Sequence, residues 1–305
     1  MINLKIHKNK VLIAGANGLL GQKLVNTFAD DFEIYGVGRK TSPSLAHLDY
    51  TSCDITHRRD IRKLVQSFNP NFVLNAAAYT NVDGCEDDKE NCWKVNVKGV
   101  ENLAQAARSV GATFIHVSTD YVFDGTEEEY TEASTPKPIS YYGRAKLAGE
   151  NAVIISEAAH AIVRTMILYG TGANIGPNFA TWLVNKLSKG EPVPIVDDQF
   201  GHPTLADDLA KAIRKIVELN KTDLFHICGS DYLSRHDFAV KLADIFDFDA
   251  SLITRIKTAD LNQKANRPLK TKFSLEKARK ELGIEMSGVE EGLTILKKQL
   301  SGLDH

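Results

Sequence analysis

The stretch Gly15-Ala16-Asn17-Gly18-Leu19-Leu20-Gly21 stands between a short apolar run, Lys10–Ala14, and a segment with helical spacing of apolar residues, Leu19–Phe28. Few folds accommodate glycines at G-x-x-G-x-x-G in that context. They let the chain turn sharply out of a strand and let its backbone come close to a ligand. The helix that follows then points unpaired N–H groups and the positive end of its dipole at whatever lies in the turn, which suits a pyrophosphate. Gly15, Asn17, Gly18, Leu19, Leu20 and Gly21 are therefore predicted to form a dinucleotide cradle, in preference to a glycine-rich turn without a ligand.

The rest of the first half keeps the same rhythm. Glu33–Val37, Leu48–Cys53, Phe72–Asn75, Thr113–Ser118 and Ala161–Arg164 read as strands. Ile61–Phe68, Trp93–Val110 and Tyr141–Ile155 read as helices between them. Short continuous apolar runs separated by helices predict a parallel sheet covered on both faces. The expected fold class is α/β, a Rossmann-type doubly wound parallel sheet. Residues 1–168 read as its NAD(P)-binding domain. Beyond them the alternation loosens: a turn-rich Tyr169–Asn178, a helix Phe179–Leu187, a strand Pro192–Val196, helices Leu205–Leu219 and His236–Phe246, a loop Lys257–Lys272, and a helix Leu275–Leu282 stopped by Gly283. Residues 169–305 are expected to be mainly a smaller substrate-binding lobe, with segments interleaving between the two.

Composition removes several function classes. A net charge of −2 over 305 residues leaves no basic field to recruit nucleic acid or an anionic membrane. No apolar run approaches the ~18 residues needed to span a bilayer. The N-terminus, Met1–Lys5, lacks the apolar core of a signal peptide, so the expected location is the cytoplasm. Cys53, Cys85, Cys92 and Cys228 have neither zinc nor Cys-x-x-Cys spacing and read as reduced thiols. The acidic runs Glu86–Asp88 and Glu127–Glu129 read as solvated helix ends or loops, and no metal is expected.

The end of the second strand separates the two nicotinamide cofactors. NAD-dependent proteins place an acid there for the ribose 2′-hydroxyl. Here the run is Gly36-Val37-Gly38-Arg39-Lys40. Arg39 suits a 2′-phosphate, so NADPH is the expected cofactor and NADH the alternative. Asp54 and Ile55 follow the third strand, where they can flank an adenine ring. Ala76, Ala77 and Ala78 follow the fourth, where small side chains admit a cofactor ribose. Asn96, inside the long helix, either bonds a neighbouring strand's backbone or takes a catalytic task.

Tyr142 and Lys146 are four residues apart and share one helix face. An ammonium beside a phenol favours the phenolate and lowers its pKa from the usual value near ~10. Such a tyrosine donates and accepts protons near neutral pH, as the reduction of a carbonyl or the oxidation of an alcohol requires. The spacing alone is common on amphipathic helices. Its weight comes from the glycine turn upstream and from the string Ser118-Thr119-Asp120-Tyr121-Val122-Phe123-Asp124-Gly125.

In that string, in Tyr142–Glu150 and in Asp198-Gln199-Phe200-Gly201-His202-Pro203-Thr204, the chain resembles, over nearly its whole length, the dTDP-4-dehydrorhamnose reductases within the extended short-chain dehydrogenases/reductases. The resemblance implies Thr119, Tyr142 and Lys146 as a catalytic triad. Tyr142 and Lys146 would also contact the cofactor. It implies a nucleotide-sugar substrate, a dTDP-linked 4-keto-6-deoxyhexose, contacted by Thr119, Asp120, Tyr121, Asn178 and Arg267. Among such enzymes a homodimer is common. Related sugar-nucleotide 4,6-dehydratases carry Thr-Asp-Glu where this chain has Thr119-Asp120-Tyr121, so reduction without elimination is expected. The family's Ser or Asn after Arg-Pro is replaced here near Thr271. His202 either touches substrate or is a loop histidine without a ligand role. Two other readings stay open: a regulatory subunit that binds dinucleotide without turnover, and a reductase or epimerase of another nucleotide-linked 4-keto-6-deoxysugar.

Overall fold

The computed structural model describes residues 8–302, so the Met1–Lys5 segment lies outside it. The first half supplies β1 (Asn9–Ala14), α1 (Leu19–Phe28), β2 (Phe32–Gly38), β3 (Tyr50–Ser52), α2 (Arg58–Phe68) and β4 (Phe72–Asn75). These are followed by α3 (Val82–Asp87), α4 (Lys89–Trp93), α5 (Val100–Ser109), β5 (Thr113–Thr119), α6 (Tyr141–Ile155) and β6 (His160–Thr165). The second half adds β7 (Leu168–Tyr169), α7 (Phe179–Leu187), β8 (Val193–Val196), β9 (Phe200–Gly201), β10 (Thr204–Leu205) and α8 (Ala206–Glu218). It ends with β11 (Leu224–His226), β12 (Leu233–Ser234), α9 (Arg235–Ile245), β13 (Ile253–Ile256), α10 (Glu276–Leu282) and α11 (Val289–Ser301).

Seven strands form one parallel sheet in the order β11-β6-β5-β4-β1-β2-β3. The expected doubly wound α/β class is therefore the observed one. Alternate residues of β1 serve opposite faces, as a strand's period of two requires. Val11 and Ile13 pack with Leu24, Phe28, Leu209 and Ile213, from α1 and α8. Leu12 and Ala14 pack with Ile61, Val65, Leu103 and Phe114, from α2, α5 and β5. The strand order reverses between β1 and β4, and the crevice at such a switch point is where doubly wound sheets bind ligands. A second core, with Tyr169, Leu183, Phe238 and Leu293, joins α7, α9 and α11 beside the sheet.

Three local differences from the sequence reading have physical causes. Trp93–Val110 is not one regular helix: between α4 and α5 the segment Lys94–Gly99 is wound as a π-helix. That wider turn buries Asn96, whose Oδ1 accepts from Tyr79 N (2.9 Å) and whose Nδ2 donates to Tyr79 O (3.0 Å). Of the two roles left open for Asn96, backbone bonding is the one observed. The strand at Leu48–Cys53 shrinks to Tyr50–Ser52. Finally, the second half contributes β11 to the central sheet, and it ends in α11, whose buried Val289, Leu293 and Leu296 were a legible i, i+4, i+7 stripe.

Candidate active site

The glycine turn has the shape that close approach demands. Gly15 has φ +83°, and a Cβ there would lie 2.7 Å from Ala77 N. A Cβ on Gly21 would lie 2.1 Å from Gly15 O. Gly18 caps α1 without a side-chain hydrogen bond, and no acid sits in the first turn, so the helix N–H groups stay open. This backbone fits a phosphate group. Leu19, Leu20, Ala76, Ala77 and Ala78 line a cavity of about 480 Å³ that continues past Val117–Tyr121, Tyr142 and Lys146 to Thr165–Leu168. Asn17 faces away from this role. It accepts from Ser44 N (2.6 Å) and donates to Ser42 O and Tyr50 Oη (3.1 Å each), tying down the loop after β2.

Arg39 and Asp54 line a separate open cleft of about 550 Å³ at the end of β2 and β3, together with His57 and Asp60. Ile55 is buried, and the absence of a side chain on Gly99 makes room for it: a Cβ there would lie 2.6 Å from Ile55 Cδ1.

Thr119 ends β5, and Tyr142 and Lys146 stand one turn apart on α6, so the three meet on one wall of the cavity. Ser140 caps α6 by accepting from Gly143 N at 3.1 Å. A Cβ on Gly143 would lie 2.2 Å from Tyr121 O, so this glycine lets α6 close on the Asp120–Val122 turn. The Tyr121 and Tyr142 rings meet edge to face, centroids 5.5 Å apart. Lys146 Nζ donates to Val117 O at 2.7 Å and lies 3.4 Å from His116 Nε2.

One expectation fails. Lys146 does not hold the Tyr142 phenol down: burial, and then the nearby Asp120 carboxylate, push its pKa up, against an opposing pull from Thr119. Burial instead pushes the Lys146 ammonium down to about 8, while Glu150 and Cys92 oppose that fall. Charge attraction favours the phenolate, but desolvation opposes it and wins for a pair this deep. A phenol kept protonated is suited to act as an acid.

Asp120 is buried at the cavity floor, where burial raises its pKa. It accepts from Thr119 Oγ1 (3.1 Å) and Thr271 Oγ1 (2.8 Å). Thr271, the departure noted in the sequence, thus uses its hydroxyl to hold Asp120. Arg267 grips Asp83 with two nitrogens (3.0 and 2.8 Å) and lies beside Tyr121. Asn178 caps α7 in a reciprocal pair with Thr181 and donates to Gly170 O (2.7 Å), so its side chain is spent on local structure. His202 is a buried staple between Gly229 O (3.0 Å) and Phe273 N (3.2 Å); its structural alternative is the one observed.

Two residues escaped the sequence reading. Arg235, first residue of α9, sits with its guanidinium over Phe179 (4.8 Å) and within electrostatic reach of Asp120, Tyr121 and Arg267. In sequence it is one charge on an amphipathic segment. Ile167 lines the cavity at φ +46°, a costly conformation for a β-branched side chain and of the kind that collects at functional sites. No sequence signal marks it.

Among the described residues no cluster of His, Cys, Asp and Glu could hold a metal ion, and no helix is long and apolar enough to cross a membrane. The family model described as RmlD substrate binding domain matches residues 9–301. The dTDP-4-dehydrorhamnose reductase of Aggregatibacter actinomycetemcomitans is 32% identical, covering 93% of this chain and 97% of its own. The methionine adenosyltransferase 2 subunit beta of Rattus norvegicus is 30% identical, with 81% and 75% covered. A crystal structure of dTDP-4-dehydrorhamnose reductase from Bacillus anthracis in complex with NADP superposes with a TM-score of 0.87 at 31% identity, over 96% of this chain and 99% of that one.

Proposed function

The chain belongs to the RmlD substrate binding domain family, and on that footing we propose that it reduces the C4 ketone of dTDP-4-dehydro-L-rhamnose to dTDP-L-rhamnose with NADPH. The observation that carries this reading is the meeting of Thr119, Tyr142 and Lys146 on a cavity that begins at the glycine turn. NADPH, when bound, supplies a hydride to C4. Tyr142, kept protonated by burial, gives its proton to the oxygen that becomes an alkoxide. Thr119, turning its single hydroxyl proton from Asp120 Oδ1 to the same oxygen, stabilises its charge. Lys146 holds the nicotinamide ribose. Asp120 and Tyr121, after β5, and Arg267, from the lobe drawn mainly from residues 169–305, face the sugar nucleotide, and Arg235 adds a second guanidinium there. Location in the cytoplasm and assembly as a homodimer belong to the same proposal; light scattering on the purified protein tests the dimer.

Arg39 on the open cleft favours NADPH over NADH. Arg39→Ala is expected to lower kcat/KM for NADPH by roughly ten- to a hundredfold, the value of a charge-assisted contact, and to leave NADH little changed. Equal losses with both cofactors would place Arg39 away from the 2′-phosphate.

The second reading is a regulatory subunit that binds dinucleotide without turnover, and the similarity to a relative named as a subunit, methionine adenosyltransferase 2 subunit beta, keeps it in view. A reductase or epimerase of another nucleotide-linked 4-keto-6-deoxysugar is the third. Incubating the protein with NADPH and either dTDP-4-dehydro-L-rhamnose or a different 4-keto nucleotide sugar separates them. The first reading expects oxidation with the former substrate. Tight NADPH binding with no oxidation in any mixture sinks it in favour of the second.

A further inference from the structure

Asn75 on β4 and His116 on β5 are register partners, and both side chains are buried. Their hydrogen bonds fix where each proton sits. The backbone N–H of Ala77 donates to Asn75 Oδ1 at 3.0 Å, and a backbone amide has no other option. Asn75 Nδ2 is thereby turned toward His116 Nδ1, 3.1 Å away, and it too can only donate. Nδ1 accepts, so a neutral imidazole carries its proton on Nε2. Burial, and then the Lys146 charge, keep this ring neutral by holding its pKa well below the usual range.

Nε2 lies 3.4 Å from Lys146 Nζ. An ammonium has three N–H donors and no lone pair, so it cannot accept from Nε2–H. An amine can. We propose that His116, oriented by Asn75, is a positioning residue for Lys146 that favours its amine form and so sets the pH at which the lysine loses its charge. The inference rests on the reading of Lys146 as a contact to the cofactor ribose. The other groups facing Lys146 act differently. Glu150, farther along α6, and Cys92 from α4 favour the ammonium, and Glu150 is already bonded twice to Arg164 (2.9 and 2.7 Å). Tyr142, one turn earlier, is uncharged, and the Val117 carbonyl accepts from Nζ in either state at 2.7 Å. Among these neighbours only His116 places a donor within hydrogen-bond distance of the nitrogen.

The pH dependence of NADPH binding, followed by nucleotide fluorescence, reads the lysine without requiring turnover. Wild-type affinity is expected to fall as pH rises through about 8. His116→Phe keeps a flat ring beside Phe114 and removes the Nε2 donor. Asn75→Asp still accepts from Ala77 N but offers Nδ1 an acceptor, which moves the ring proton to Nδ1 and turns Nε2 into an acceptor for the ammonium. Both variants should move the alkaline fall upward by about one pH unit, Asn75→Asp further than His116→Phe. A fall that stays in place in the folded variants overturns the proposal. A wild-type profile with no such fall removes Lys146 from the cofactor site, and the inference with it. Imidazole ¹⁵N shifts of the wild-type protein need no variant: a proton found on His116 Nδ1 overturns the proposal even if neither variant folds.

Discussion

Tyr142→Phe lowers kcat by about 10²- to 10⁴-fold and leaves NADPH affinity unchanged. The change removes one hydroxyl and keeps the ring, so the edge-to-face contact with Tyr121 at 5.5 Å and the packing of α6 persist. No neighbour replaces the lost proton donor. The Thr119 hydroxyl is directed at Asp120 Oδ1, and the Lys146 donor at the Val117 carbonyl. Because burial raises the Tyr142 pKa, the phenol is an acid throughout the neutral range. The kcat profile of the wild-type enzyme should therefore show no loss from Tyr142 ionisation below the ordinary tyrosine value of ~10. Steady-state kinetics with a parallel NADPH titration checks both statements. A kcat near wild type in the phenylalanine variant removes Tyr142 from proton transfer.

Arg164→Met destabilises the fold by about 3–5 kcal/mol. The guanidinium of Arg164 on β6 makes a two-pronged bond to Glu150 on α6, and the two side chains are only 4% and 3% exposed. Removing the arginine leaves a carboxylate in a site with no water to solvate it, and that uncompensated charge is the main cost. Glu150 stands four residues beyond Lys146, so the loss also loosens the helix that carries the catalytic pair. Arg164→Met combined with Glu150→Leu removes both charges and should recover most of the stability, since a buried pair and an apolar replacement are often nearly equal. Urea unfolding of the wild type and the two variants gives the comparison. A single variant within about 1 kcal/mol of wild type would show that Glu150 finds another partner or a proton at little cost.

The sheet and the cradle were legible because both depend on local rules. Gly15 and Gly21 sit where any side chain would strike backbone, and the continuous apolar runs of β1, β4 and β5 leave a parallel sheet as the economical arrangement. Tyr142 and Lys146 are legible as a pair because residues at i and i+4 of α6 share one face, whereas Thr119, at the end of β5, enters through the family resemblance. What was not legible depends on depth or on long-range contact. The sign of the Tyr142 shift turns on how deeply the phenol is buried, which spacing cannot reveal. Asn178 looked like a ligand residue but is consumed by the start of α7, and Asn17 by the loop at Ser42–Ser44. Arg235 reaches the site because α9 packs against α7, where its guanidinium lies over Phe179. The π-helical turn at Lys94–Gly99 accompanies the bonding of Asn96 to the Tyr79 backbone, a pairing of residues 17 apart in sequence.

The central claim is that these residues direct a hydride to C4 of a nucleotide-linked 4-keto sugar and a proton to its oxygen. NADPH deuterated at the transferable C4 position of its nicotinamide, incubated with the protein and dTDP-4-dehydro-L-rhamnose, tests it most directly by NMR of the sugar product. The expected product is dTDP-L-rhamnose with one deuterium at sugar C4, formed by the wild type and lost with Tyr142→Phe. Labelled cofactor that binds yet is recovered unoxidised, or product carrying no deuterium at C4, would contradict it.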